Sequence, residues 1–157
     1  MSGLAIRAAT ERDIEPLTRL IAAFRDHLRQ AEPESSSIPA ALARLMHDPG
    51  TQFLLALGPK QDPLGYSQLR FRYSMWVAGL EAQLDDLFVR PMARRRGVGR
   101  QLLAASVEMA RARGARVVGL NTNERNQEAL RLYAAAGFSA QRGRWGGGLQ
   151  LWLELAI

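Results

Sequence analysis

The stretch Leu84-Asp85-Asp86-Leu87-Phe88-Val89-Arg90-Pro91-Met92-Ala93-Arg94-Arg95-Arg96-Gly97-Val98-Gly99-Arg100-Gln101-Leu102-Leu103 is where the period of the chain changes. Leu80 to Val89 reads as a strand, with two adjacent carboxylates, Asp85 and Asp86, between Leu84 and Leu87. After Pro91, Gly99, Leu102, Leu103, Ser106, Val107 and Ala110 share one face of a helix that Gly114 terminates. Between strand and helix lies a basic turn in which Gly97 and Gly99 let the backbone approach a ligand with no Cβ in the way. The helix start aims unpaired N–H groups and a partial positive charge outward, which suits a phosphate. It is not a Walker loop, because no Gly-Lys-Ser/Thr follows, and Leu102 stands where a dinucleotide fingerprint needs its third glycine.

Toward the N-terminus, Thr51 to Leu57 and Leu64 to Tyr73 read as two strands of a hairpin joined through Gly58 to Pro63. A shorter helix, Ala40 to Met46, precedes them, started by Ser37 and Pro39 and ended by Pro49 and Gly50. Ile14, Leu17, Ile21, Phe24 and Leu28 form the apolar stripe of a first helix, with Thr10 and Asp13 as a capping box and Leu4 to Arg7 as a strand before it. Toward the C-terminus, Val117 to Leu120 is a short buried strand and Asn126 to Ala136 a last helix stopped by Gly137. Phe138 to Arg142 and Leu149 to Leu155 read as strands across a turn at Gly146, Gly147 and Gly148. The order is β-α-α-β-β-β-α-β-α-β-β, an α/β layered domain read as one unit over residues 1–157.

The charge of +6 invites a nucleic-acid reading, with Tyr66, Tyr73 and Trp76 as stacking surfaces. The excess is local, however: without Arg90, Arg94, Arg95, Arg96 and Arg100, 16 basic residues face 15 acidic ones. No docking motif accompanies it, so a nucleic-acid partner is not expected. No cysteine is present, which excludes thiolate nucleophiles and Cys-rich zinc sites. His27 and His47 fit no metal-binding pattern, and no metal is expected. No apolar run reaches the roughly 20 residues of a membrane span, and Met1 to Arg7 lacks a signal-peptide plan, so the expected compartment is the cytoplasm.

Two further features carry chemistry. Side chains alternate along a strand, so in a regular strand only one of Asp85 and Asp86 faces a given side. Asn126 and Tyr133 are seven residues apart, on one helix face and ~10 Å from each other, so a long ligand could touch both.

Taken together, L-D-D-L-F-V-R-P-x-x-R-R-R-G-V-G-R-x-L-L followed by N-x-x-A-x-x-L-Y-x-x-x-G-F resembles the GNAT superfamily of acyl-CoA N-acyltransferases from Leu80 to Phe138. The signature [Q/R]-x-x-G-x-[G/A] is matched by Arg94, Gly97 and Gly99. The resemblance implies a mixed central sheet of about seven strands with four helices, and acetyl-CoA as co-substrate. It implies that Leu87, Phe88 and Val89 bind the pantetheine arm through strand N–H groups, with an oxyanion donor near Phe88 or Val89. Arg94, Arg95, Arg96, Gly97, Val98, Gly99 and Arg100 would then hold the pyrophosphate, Asn126 would contact the coenzyme, and Tyr133 would be its general acid. Asp85 is favoured as the base or amine-attracting carboxylate, ahead of Asp86 and then Glu81. Asp86 and Trp76 join it as substrate-binding candidates, since the acidic strand and the Tyr73 to Trp76 stretch look similar to diamine and polyamine acetyltransferases. The acceptor is a small-molecule or peptide amine. The family is often homodimeric, and a catalytically silent acetyl-CoA-binding module is the alternative.

Overall fold

The computed structural model describes residues 3–141, 146 and 153–156. The chain divides into two compact units, Met1–Leu120 and Asn121–Ile157.

The first unit is built on a five-stranded sheet of order β1-β2-β3-β4-β5, with β1 Ala5–Ala8, β2 Thr51–Leu57, β3 Pro63–Ser74, β4 Gly79–Val89 and β5 Ala115–Leu120. Neighbours are antiparallel except β4 and β5, which are parallel and joined through a crossover helix. Helices α1, Ile14–His27, and α2, Ile38–His47, cover one face, and α3, Val98–Ala112, covers the other. β2 shows why both faces are dry. Phe53, Leu55 and Leu57 join Leu17, Leu20, Ile38, Leu42, Tyr66 and Phe88 on the α1/α2 side. Leu54 and Ala56 join Leu64, Ala93, Val98 and Leu102 on the α3 side. Behind α3, the buried Ser67 and Ser106 hydroxyls meet at 2.8 Å, tying β3 to the helix.

The first helix begins as expected, with the Thr10 amide donating to Asp13 Oδ2 at 2.8 Å. Arg7 grips the same carboxylate through both oxygens at 2.7 Å, which holds Asp13 down at about 2. Leu28 departs from the expected stripe. It is the C-cap of α1, next to Arg29 at φ 55, and its side chain is exposed.

The second unit contains α4, Gln127–Ala135. The expectation of about seven strands is corrected to five among the described residues. Of the expected strand over residues 138–142, only Gln141 makes a bridge. The Gln141 amide donates to Ser139 Oγ at 3.1 Å, a local bond that bends the chain where a ladder was expected. Arg142, the expected turn at residues 146–148 apart from Gly146, and Leu149 to Trp152 lie outside the described residues, while Leu153 to Leu155 form no strand.

Candidate functional site

β4 carries an irregularity that the site depends on. Its register with β3 runs Gly65↔Val89, Tyr66↔Phe88, Ser67↔Leu87, Gln68↔Asp86 and then Leu69↔Leu84. Asp85 is therefore an extra residue, a β-bulge. The expectation that only one of the adjacent carboxylates faces a given side is corrected by it. Arg70 Nε is hydrogen-bonded to Asp85 Oδ2, and the Tyr66 hydroxyl donates to Asp86 Oδ2 at 2.9 Å. Tyr66 and Arg70 alternate onto the same side of β3, so both carboxylates engage one face.

The two acids differ in surroundings. Asp85 is ion-paired with a guanidinium. Asp86 is half-buried with the neutral Tyr66 hydroxyl against it, and burial raises its pKa, aided by the charge of Asp85 and opposed by the Tyr66 hydrogen bond. Tyr66 is fully buried and its pKa is driven far upward, first by burial and then by Asp86, so it remains a donor. That burial removes it as a stacking surface. Glu81 is held by Arg72 at 2.5 Å on the same side of the β3–β4 ladder.

The bulge also marks where β4 loses a neighbour. β5 pairs with it from Leu80↔Ala115 to Leu84↔Leu120 and no further among the described residues. The Arg90 amide donates to Leu64 O at 2.9 Å, so by alternation the Phe88 amide faces β3, and those of Leu87 and Val89 face the opposite, open edge. Of the two expected oxyanion positions, Phe88 is therefore turned away. Its ring is core, stacked on Phe24 at 5.0 Å.

The turn into α3 has the expected anion-binding form. Gly97 is the N-cap at φ 80, a left-handed conformation that glycine adopts without strain, and Arg95 reaches φ 61. The first helical bond is Gln101 N–H to Gly97 O at 3.0 Å, so the Val98, Gly99 and Arg100 amides have no intrahelical partner. Arg95, Arg96 and Arg100 are exposed around them. Arg94 is engaged otherwise, its Nε donating to Val89 O at 3.0 Å with the guanidinium over the Phe88 ring. Val98 is buried in the core, which leaves only its main chain for a ligand.

Trp76 is not brought to the carboxylates. It sits exposed in the turn between β3 and β4, and the stretch of β4 from Gly79 to Asp85 spans about 20 Å. Sequence reasoning missed the tie of Tyr66 to Asp86 and the grip of Arg70 on Asp85, both of which depend on cross-strand register.

In the second unit, Asn126 caps α4, its Oδ1 accepting from the Ala129 amide at 3.2 Å. The C-terminus closes as a Schellman motif: Phe138 N–H reaches Tyr133 O at 3.0 Å and Gly137 N–H reaches Ala134 O at 3.0 Å, with Gly137 at φ 88. The Phe138 and Tyr133 rings pack edge-on at 6.0 Å, and burial raises the Tyr133 hydroxyl's pKa.

Among the described residues, no group of acidic or histidine side chains is placed to hold a metal ion, and no helix is long and apolar enough to cross a membrane. The profile of the acetyltransferase (GNAT) family matches residues 17–138, across both units. The chain is 30% identical over 138 residues to the uncharacterized N-acetyltransferase YhfO of Bacillus subtilis, covering 88% of this chain and 91% of that one. It is 29% identical to thialysine N-epsilon-acetyltransferase of Bos taurus, over 87% of this chain and 85% of that one. It is 28% identical to aminoalkylphosphonate N-acetyltransferase of Salmonella typhimurium, over 89% and 88%. The fold is shared with aminoglycoside N-acetyltransferase AAC(6')-Iy, solved in complex with CoA, at a TM-score of 0.78 and 19% identity, covering 98% of this chain and 94% of that one. The split strand, the glycine turn at α3 and these matches converge: the chain belongs to the GNAT family and is an acetyl-CoA-dependent acyltransferase.

Proposed function

We propose that the protein transfers the acetyl group of acetyl-CoA directly to a primary amine, with Asp86 as the proton acceptor. The observation that carries this reading is the bulge at Asp85, which on one strand both opens an edge and turns two carboxylates to one face.

The fit to the coenzyme rests on two features. The outward main chain of Leu87 and the outward amide of Val89 suit the amide groups of a pantetheine arm. The free amides at the start of α3, with Arg95, Arg96 and Arg100, suit a pyrophosphate. Arg94 braces the strand end. By their motif, Asn126 contributes to coenzyme binding and Tyr133 to departure of the thiol. Acetyl-CoA supplies an acyl group already activated as a thioester.

An alkylamine arrives protonated, with an ordinary pKa of ~10.4, and has no lone pair until that proton leaves. Asp86 is better suited than Asp85 to take it, because burial and a neighbouring negative charge favour its protonated form, while Asp85 is already engaged by Arg70. Glu81 is similarly engaged by Arg72. As the nitrogen bonds to the carbonyl carbon, an outward amide of Leu87 or Val89 stabilises the charge gathering on oxygen. The carbon–sulfur bond breaks, Tyr133 gives its proton to sulfur, and the second proton lost by nitrogen restores the phenol. The raised pKa of Tyr133 favours donation in concert with bond breaking over prior ionisation.

The test is thiol release from acetyl-CoA with a panel of amines: a diamine, a polyamine, lysine, an aminoalkylphosphonate and an aminoglycoside. Release with at least one is expected, and none with any would overturn the reading. With the best acceptor, Asp86→Asn should lower kcat/KM by roughly 10²-fold or more while coenzyme affinity is unchanged. A larger loss in Asp85→Asn would return the role to Asp85.

A further inference from the structure

The geometry points to a zwitterionic acceptor: a primary amine whose ammonium group sits at Asp86 and whose far end carries an anion bound by Arg70. This rests on the acetyl-transfer reading above and narrows its substrate class.

The face of the sheet bearing the bulge carries a fixed arrangement of charge. Glu81 is matched by Arg72 and Asp85 by Arg70, while Asp86 has the neutral hydroxyl of Tyr66. Among the described residues, Asp86 is thus the one of these three acids with no guanidinium ion-paired to it, which suits it to answer an ammonium. A polyamine, with cations spaced along its chain, would need several unmatched acids and would bring its second charge toward Arg70.

Arg70 is suited to an anion. It uses Nε on Asp85, its side chain is 60% exposed, and neither terminal nitrogen has a partner among the described residues. The planar guanidinium presents those nitrogens to a carboxylate or phosphonate as a two-pronged donor. Asp85 fixes the guanidinium in place without consuming that edge.

Gln68 lies directly across from Asp86, and Arg70 is the next residue of β3 on the same side. Asp86 and Arg70 are therefore diagonal neighbours on one face, within reach of a single small molecule. The substrate class is a primary amine that also carries a carboxylate or phosphonate.

Three acceptors of equal length separate the possibilities: 6-aminohexanoate, hexylamine and 1,6-diaminohexane, differing only in the charge at the far end. The wild-type protein should use 6-aminohexanoate with kcat/KM about tenfold above hexylamine, and the diamine no better than hexylamine. Arg70→Gln should remove the preference for the acid, bringing 6-aminohexanoate to about parity with hexylamine, and raise use of the diamine relative to hexylamine, because Asp85 is then unmatched. Arg70→Lys, which keeps the charge and loses the fork, should fall between. A wild-type preference for the diamine, or an acid preference that survives Arg70→Gln, would overturn the zwitterion. Absence of thiol release with every amine would instead count against acetyl transfer itself.

Discussion

From Leu80 to Leu84, β4 is hydrogen-bonded to β3 on one side and β5 on the other, while its acid Glu81 is closed off by Arg72. From Asp86 to Val89 the same strand is bonded, among the described residues, to β3 alone, and its half-buried acid is hydrogen-bonded to a neutral hydroxyl. The two halves share a strand, a sheet and the neighbour β3. One extra residue at Asp85 separates them, and binding capacity appears where backbone pairing stops. The comparison teaches that a strand can serve the fold along one half and a ligand along the other, the outward amides of Leu87 and Val89 being those that a strand-like ligand can claim.

Erasing the difference between the halves gives the largest expected effect. Deletion of Asp85 makes Leu84 and Asp86 neighbours on opposite faces, in register with Leu69 and Gln68, and every other side chain keeps its face. Thermal unfolding should shift by only a few degrees, while kcat/KM for the amine falls by more than about 10²-fold. A deletion variant that still transfers acetyl groups would show that the bulge is incidental.

A second change addresses the coenzyme end of the open half. Gly99 is in the first turn of α3, where its amide is free and a side chain would fill the space in front of it. Calorimetric titration of Gly99→Glu with coenzyme A should show affinity lowered by more than about tenfold, through bulk and repulsion together. Unchanged affinity in a folded variant would remove this turn from the site.

The smallest change sharpens the contrast between the acids. Tyr66→Phe keeps the buried ring and removes the hydroxyl that lowers the pKa of Asp86, leaving burial and the charge of Asp85 to raise it. The acid limb of the kcat/KM profile should therefore move to higher pH, with a loss of several-fold at the optimum. The same variant should lose about 1 kcal/mol of stability for one hydrogen bond. An unmoved acid limb would mean that Asp86 does not titrate in the reaction.

Much of this was legible from residue order. β2 was read to its observed ends because an apolar run between turn residues leaves little choice. Gly114 and Gly137 were read as helix stops, and each occupies a left-handed conformation. The bulge was harder to see, since it is a relation between two strands. A trace of it does lie in the sequence: Ala82 and Leu84 face α3, and then Leu87 and Val89 do, so the α3-facing positions switch from even to odd. Arg70 and Tyr66 gave no local signal, because their importance comes from what register places opposite them. Tyr133 was read for its chemistry, and the structure adds that its ring packs against Phe138 at the helix end.

The buried contact between Ser67 and Ser106 joins the middle of α3 to the residue lying across the ladder from Leu87. The strand edge and the helix amides are thereby parts of one stiff body, further locked by Val98 and Leu102 in the core. A ligand laid along both meets donors already oriented before it arrives, so little conformational entropy is lost when it binds. Coenzyme affinity should accordingly owe more to preorganisation than to closure of a loop around it.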